Sequence, residues 1–194
     1  MTKLCGEQWG EMAAAEWGRS WAALRFFNVY GPRQKADSDY AAVIPAFLEA
    51  AVRGMPMRIY GSGTQRRDFV FVGDVASALW LFAQSGECGI FNIGSGRDMS
   101  ILELAAAIGN ATRTTPLLDF GPARPADVGF SRAELSRTRD MTHWRPMVPC
   151  ERGLKETVRW LRRPPRGADF RLAGGRFGGC QPLRGVVSGL LWAA

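Results

Sequence analysis

Four short apolar runs, with stretches that read as helical in two of the three intervals between them, constrain this chain more than any other feature. Trp21–Val29 (WAALRFFNV), Met57–Tyr60, Asp68–Val72 (DFVFV) and Gly89–Ile93 are each too short for a buried helix and rich in aromatic or β-branched residues. They are predicted strands. The spacing predicts helices over residues 1–18, stopping near Gly18, over about Ala41–Arg53, closed by Gly54 and Pro56, and over Asp74–Ala83, capped by Asp74 or the residue before it. A fourth helix, Ser100–Ala111, has Ser100 as N-cap and Glu103 three residues on, the pattern of a capping box. Pro116–Phe120 is strand-like, Gly121–Val128 is a Pro-containing loop, and Ser131–Arg139 and Glu151–Leu161 are helical. Helices between consecutive short strands act as crossovers, so the expected class is α/β with parallel pairing.

Composition narrows the function classes. With 194 residues, 46% hydrophobic and 22% charged, the chain can bury a core and is neither disordered nor collagen-like. No apolar run approaches the roughly 20 residues of a membrane span, and no basic-then-apolar leader opens the sequence. A cytoplasmic location without membrane contact is the expectation.

Of 25 basic residues only Lys3, Lys35 and Lys155 are lysines. The net charge of +7 is uneven: residues 162–194 hold six arginines and one acid, Asp169, so +5 lies there and +2 over the rest. A basic balance confined to a tail is a poor footprint for nucleic acid, and none is expected as a partner. The cysteines Cys5, Cys88, Cys150 and Cys180 have no metal-ligand spacing, and His143 is the one histidine, so no metal site is expected. After Pro164-Pro165 the sequence becomes Gly- and Arg-rich without a period. Residues 1–162 are therefore taken as the folded part, and 163–194 as an irregular or disordered tail.

Five motifs occur in order along residues 1 to about 162: Thr2–Glu7 (TKLCGE), Arg25–Gln34 (RFFNVYGPRQ), Gly61–Val72 (GSGTQRRDFVFV), Phe91–Gly96 (FNIGSG), and Arg124–Asp127 (RPAD) followed by His143–Pro146 (HWRP). Together they resemble the C-terminal part of the extended short-chain dehydrogenases/reductases, in the NAD-dependent nucleotide-sugar epimerase/dehydratase branch. Asp39–Pro45 (DYAAVIP) looks most like the UDP-hexose 4-epimerases. The resemblance implies an incomplete Rossmann-like parallel sheet, C-terminal strands only, with a small α/β substrate-binding subdomain. It also implies a nucleotide-diphosphate sugar as ligand, NAD as cofactor and a homodimer as the family's assembly. Lys3 matches the Lys of the family's Tyr-x-x-x-Lys pair. The Tyr and the Gly-rich cofactor loop have no counterpart in this sequence, and Gly94-Ser95-Gly96 lacks the third glycine of such a loop. The chain is accordingly expected to be an inactive fragment.

The same resemblance assigns roles. Lys3 would bind the nicotinamide ribose and lower the pKa of the absent Tyr, as a nearby cation should; unaccompanied, it is a solvated helix-start lysine. Asn28 would contact the nucleotide-sugar at a strand's C-terminal end, where open α/β sheets bind ligands. Arg67 and Arg124 would hold the diphosphate, for which a planar fork donor is suited; Arg66, the neighbour, is read as a surface residue. Ala126 stands where the family has Gly. Asp127 and Asp68 would orient the arginines or touch a ribose, or simply cap turns. Val43, Ile44 and Pro45 would line the base pocket, or serve as plain core. The Trp21–Val29 strand is expected to leave an open edge and apolar faces, and so to favour self-association or aggregation.

Overall fold

The computed structural model describes residues 2–34, 42–162 and 185–191, the last as backbone. Helix α1 (Thr2–Glu16) leads through Gly18, in the left-handed region, into β1 (Ser20–Phe26). The chain then runs β2 (Asn28–Tyr30), α2 (Val43–Arg53), β3 (Met57–Tyr60), β4 (Arg66–Phe71) and α3 (Val72–Ser85). It continues through β5 (Gly89–Ile93), β6 (Asp98–Ser100), α4 (Ile101–Thr112), β7 (Leu118–Gly121), α5 (Ser136–Thr142) and α6 (Cys150–Arg162), and β8 (Gly185–Leu191) follows. The α/β class read from the sequence is present, and among the described residues four of the five strand pairings are parallel.

The described strands form three sheets, ordered β5-β1-β8, β2-β4-β6 and β3-β7. The expected single strand Trp21–Val29 is thus two strands in different sheets. The Phe27 amide donates to the Ile93 carbonyl (3.0 Å) at the end of the β1–β5 ladder, and at Asn28 the chain crosses to pair with Phe69 of β4. This switch places residue 28 beside β4, which matters for the site.

The tail also departs from expectation. Residues 185–191 form a strand paired in parallel with β1, in register from Ser20↔Gly185 to Phe26↔Leu191. Its sequence, GVVSGLL, has the apolar and β-branched content of a strand. The predicted open edge of β1 is therefore covered, and Ala22, Ala23, Leu24 and Phe26 are buried, as a strand paired on both sides requires. Residues 163–184 and 192–194 lie outside the described residues.

Among the described residues, two apolar clusters fill the interior. One joins Ile44, Phe47 and Leu48 of α2 to Leu104 and Ile108 of α4 and Leu154 of α6. The other packs Leu24 and Phe26 of β1 against Phe82 of α3 and Phe91 of β5. Between the elements, Asp68 and Asp74 are buried carboxylates. Asp74 does not cap α3; it accepts from the amides of Met147 (3.0 Å) and Val148 (3.1 Å) and so ties down the segment before α6. The Ser100–Glu103 capping box forms as the spacing predicts, with both reciprocal bonds made. Strand β6, which the sequence reading lacked, is three residues long and pairs antiparallel with β4. No described helix is long and apolar enough to cross a membrane.

Candidate functional site

The site gathers around the first residues of β4. The turn Gly61–Gln65 joins β3 to β4, with Gly61 and Gly63 both at positive φ. Such backbone favours glycine because a Cβ crowds the carbonyl there. The turn sets Tyr60, the last residue of β3, near Gln65, whose Nε2 donates to the Tyr60 carbonyl (3.0 Å).

Arg67 points inward and is 6% exposed. A buried guanidinium needs a counter-charge and acceptors. Arg67 finds them in the Asp127 carboxylate and in the carbonyl of Arg66 (3.0 Å). The second oxygen of Asp127 accepts from Gln65 Nε2 (3.4 Å). Asp127 is held on a tight turn: its amide donates to the Arg124 carbonyl (3.3 Å), and Ala126 adopts φ 59°, which explains the family's Gly at that position in physical terms.

Arg124, at the other end of that turn, lays its guanidinium on the Tyr60 ring, 4.0 Å from the centroid. The Arg124 cation beside the phenol lowers the Tyr60 pKa from its ordinary value. The two arginines singled out by the sequence are therefore linked through Asp127, Gln65 and Tyr60, although 57 positions separate them in the chain.

Asn28 joins the same neighbourhood from β2, its Nδ2 donating to the Asp68 carbonyl (3.0 Å). The Asp68 carboxylate is spent on internal bonds. It is fully buried and accepts from the Ser95 amide (2.7 Å), Ser95 hydroxyl (2.6 Å), Gly96 amide (2.9 Å) and Ala133 amide (3.0 Å). It is an internal knot joining β4, the loop after β5 and the segment before α5.

The other sequence candidates sit elsewhere. Ile44 and Pro45 are buried in the first turn of α2, Ile44 within the core, and Val43 packs half-buried against it. Arg66 is half-exposed rather than a free surface group: it pairs with Asp98 and with Glu103 (3.2 Å). Lys3 is exposed at the start of α1, one helical turn before Glu7. Glu7 is buried and accepts two bonds from Arg25 near the end of β1 (2.8 and 2.7 Å), which raises the Arg25 pKa. This pair brings the N-terminal part of α1 to the C-terminal end of β1.

Sequence reasoning missed Tyr60, Gln65 and the Glu7–Arg25 pair. The signal for the last was present: one arginine inside an otherwise apolar strand requires a buried acid opposite it.

A dinucleotide's pyrophosphate needs free amide donors at a helix or turn. The Ser95 and Gly96 amides of the Gly94–Gly96 loop are both spent on Asp68. The Gly94–Gly96 loop therefore has neither of these amides free for a cofactor pyrophosphate.

Comparison with known proteins agrees with this architecture. Residues 1–94 match the NAD dependent epimerase/dehydratase family. The chain is 36% identical over 146 residues to a UDP-N-acetyl-alpha-D-glucosaminuronate decarboxylase of Bacillus cytotoxicus, covering 72% of this chain and 45% of that protein. It is 37% identical over 138 residues to the UDP-glucose 4-epimerase of Mycolicibacterium smegmatis, covering 70% of this chain and 43% of that protein. Among solved structures, the UDP-glucose 4-epimerase of Thermotoga maritima, crystallised with UDP-glucose, superposes with a TM-score of 0.77 at 35% identity, over 80% of this chain and 50% of that one. The chain spans about half the length of the curated relatives it matches. With its parallel α/β sheets and its five motifs in order, the chain belongs to the NAD dependent epimerase/dehydratase family.

Proposed function

We propose that this chain carries the nucleotide-diphosphate-sugar site of an NAD-dependent UDP-hexose 4-epimerase. The observation that carries the reading is the buried Arg67 guanidinium, joined through the Asp127 turn to Arg124. Two fork donors on neighbouring segments suit a diphosphate, which offers several oxygens and two charges. Asn28, at the point where the chain leaves β1 for β4, is the amide placed to contact the sugar-nucleotide. Lys3 is the candidate for the cofactor's ribose, and Val43, Ile44 and Pro45, in the first turn of α2, are the candidates for lining the base pocket. NAD enters by kinship, as does pairing of subunits through α1, whose Trp9 and Met12 are exposed.

Titration calorimetry of the chain with UDP and UDP-glucose tests the reading. Binding should weaken about tenfold or more in Arg67→Ala, the scale of one lost charge-assisted hydrogen-bond set. Arg67→Lys should not restore it, because an ammonium lacks the fork. Binding indifferent to both changes refutes the proposal.

A second reading, a nucleotide-sugar decarboxylase, is favoured by the 36% identity to such an enzyme over 146 residues. Product analysis with a restored upstream half separates the two, since decarboxylation releases carbon dioxide and epimerisation conserves every atom.

A further inference from the structure

We propose that Asp127 is an internal competitor for the anion that Arg67 binds, so that ligand entry is an exchange of one anion for another. The inference rests on the diphosphate reading given above and adds to it a determinant of affinity.

The argument begins with the geometry of Arg67. The guanidinium is nearly shut off from water, and its terminal nitrogens are both engaged, one by the Arg66 carbonyl and one by the Asp127 carboxylate. An anion approaching this group must either take the place of Asp127 or sit beside its charge. In either case the Asp127 charge opposes binding, an opposition that water at its one-third-exposed side chain partly screens.

Asp127 is also the member of the pair able to give way. Arg67 is held in a regular strand, whereas Asp127 lies on a tight turn with its side chain about one-third exposed. Its second oxygen has a weaker restraint, the 3.4 Å bond from Gln65. When empty, the site is thereby kept ordered, because the carboxylate stops a buried cation from being unpaired. The same turn carries Arg124, so movement of Asp127 is mechanically joined to the second arginine through the Asp127 amide–Arg124 carbonyl bond.

Inorganic pyrophosphate is the suitable probe, since it has no ribose or base for Asp127 to touch. Asp127→Asn keeps size and hydrogen bonding but removes the charge. It should bind pyrophosphate about fivefold more tightly than the unmodified chain, the effect of deleting one like charge at contact distance in a watery setting. Glu156→Gln, which removes an equal charge from an exposed pair on α6, should give no such gain. Should Asp127→Asn melt early, Gln65→Met loosens Asp127 through its other oxygen and should give a smaller gain in the same direction.

Pyrophosphate binding that depends on Arg67 but does not strengthen in Asp127→Asn overturns the competitor role and leaves the diphosphate reading standing. An equal gain in Glu156→Gln also overturns it, since the effect is then one of net charge. Binding indifferent to Arg67→Ala, or absent throughout, overturns both.

Discussion

Arg67 and Arg66 are adjacent in sequence and have opposite fates. Successive strand residues face opposite ways, so one guanidinium enters the interior and the other meets Asp98 and Glu103 at the rim. Burial then amplifies the consequence: the outer pairs are solvent-screened, while the inner one is a group whose partner cannot be removed cheaply. The same logic of close packing applies to glycines without any turn role. A Cβ added at Gly153 of α6 would lie 2.2 Å from the Tyr30 hydroxyl and 2.8 Å from the Phe71 ring. Tyr30 is buried and donates to the Cys150 carbonyl (3.2 Å), so it has little room to retreat. Gly153→Ala should therefore destabilise the fold by about 1–3 kcal/mol, the usual cost of overpacking, despite Ala's better helix propensity. Chemical denaturation measures it; an unchanged or higher midpoint would show that Tyr30 swings aside.

At the level of elements, α4 shows how a local signal sets a boundary. Ser100 accepts from the Glu103 amide (3.1 Å), and the Glu103 carboxylate accepts from the Ser100 amide (2.7 Å), so two otherwise orphaned donors are satisfied. Those bonds hold the Glu103 pKa below its ordinary value. A carboxylate depressed in the folded state binds protons more readily when unfolded. Its contribution is complete above the usual Glu range and is lost as pH falls through the folded value. Ser100→Ala should cost about 1 kcal/mol at neutral pH. Glu103→Ala should flatten the acid side of the stability profile between neutrality and the carboxylate range. Denaturant midpoints across that pH span check both, and parallel profiles for the variant and its parent would contradict the assignment.

Across the whole molecule, the decisive feature is the strand that covers β1. An uncovered seven-residue apolar edge is a template for pairing with another chain. Deleting residues 163–194 should expose that edge and produce concentration-dependent self-association in sedimentation velocity, with a lower melting temperature than the intact chain. A truncated chain that stays monomeric and melts unchanged would mean that β8 adds nothing to β1.

The α/β class, the helix limits near Gly54 and the capping box were all legible in the sequence, because each depends on neighbours within a few residues. Arg67 and Arg124 were singled out through ordered motifs rather than through any local rule. Distance along the chain hid the rest. That Trp21–Val29 divides between two sheets depends on Ile93 and Phe69. That Asp68 is an internal knot depends on Ser95, Gly96 and Ala133. Periodicity and turn chemistry report what a segment can form by itself; which carboxylate is buried, and which cation it meets, is decided only when remote backbone donors and charges are packed out of water.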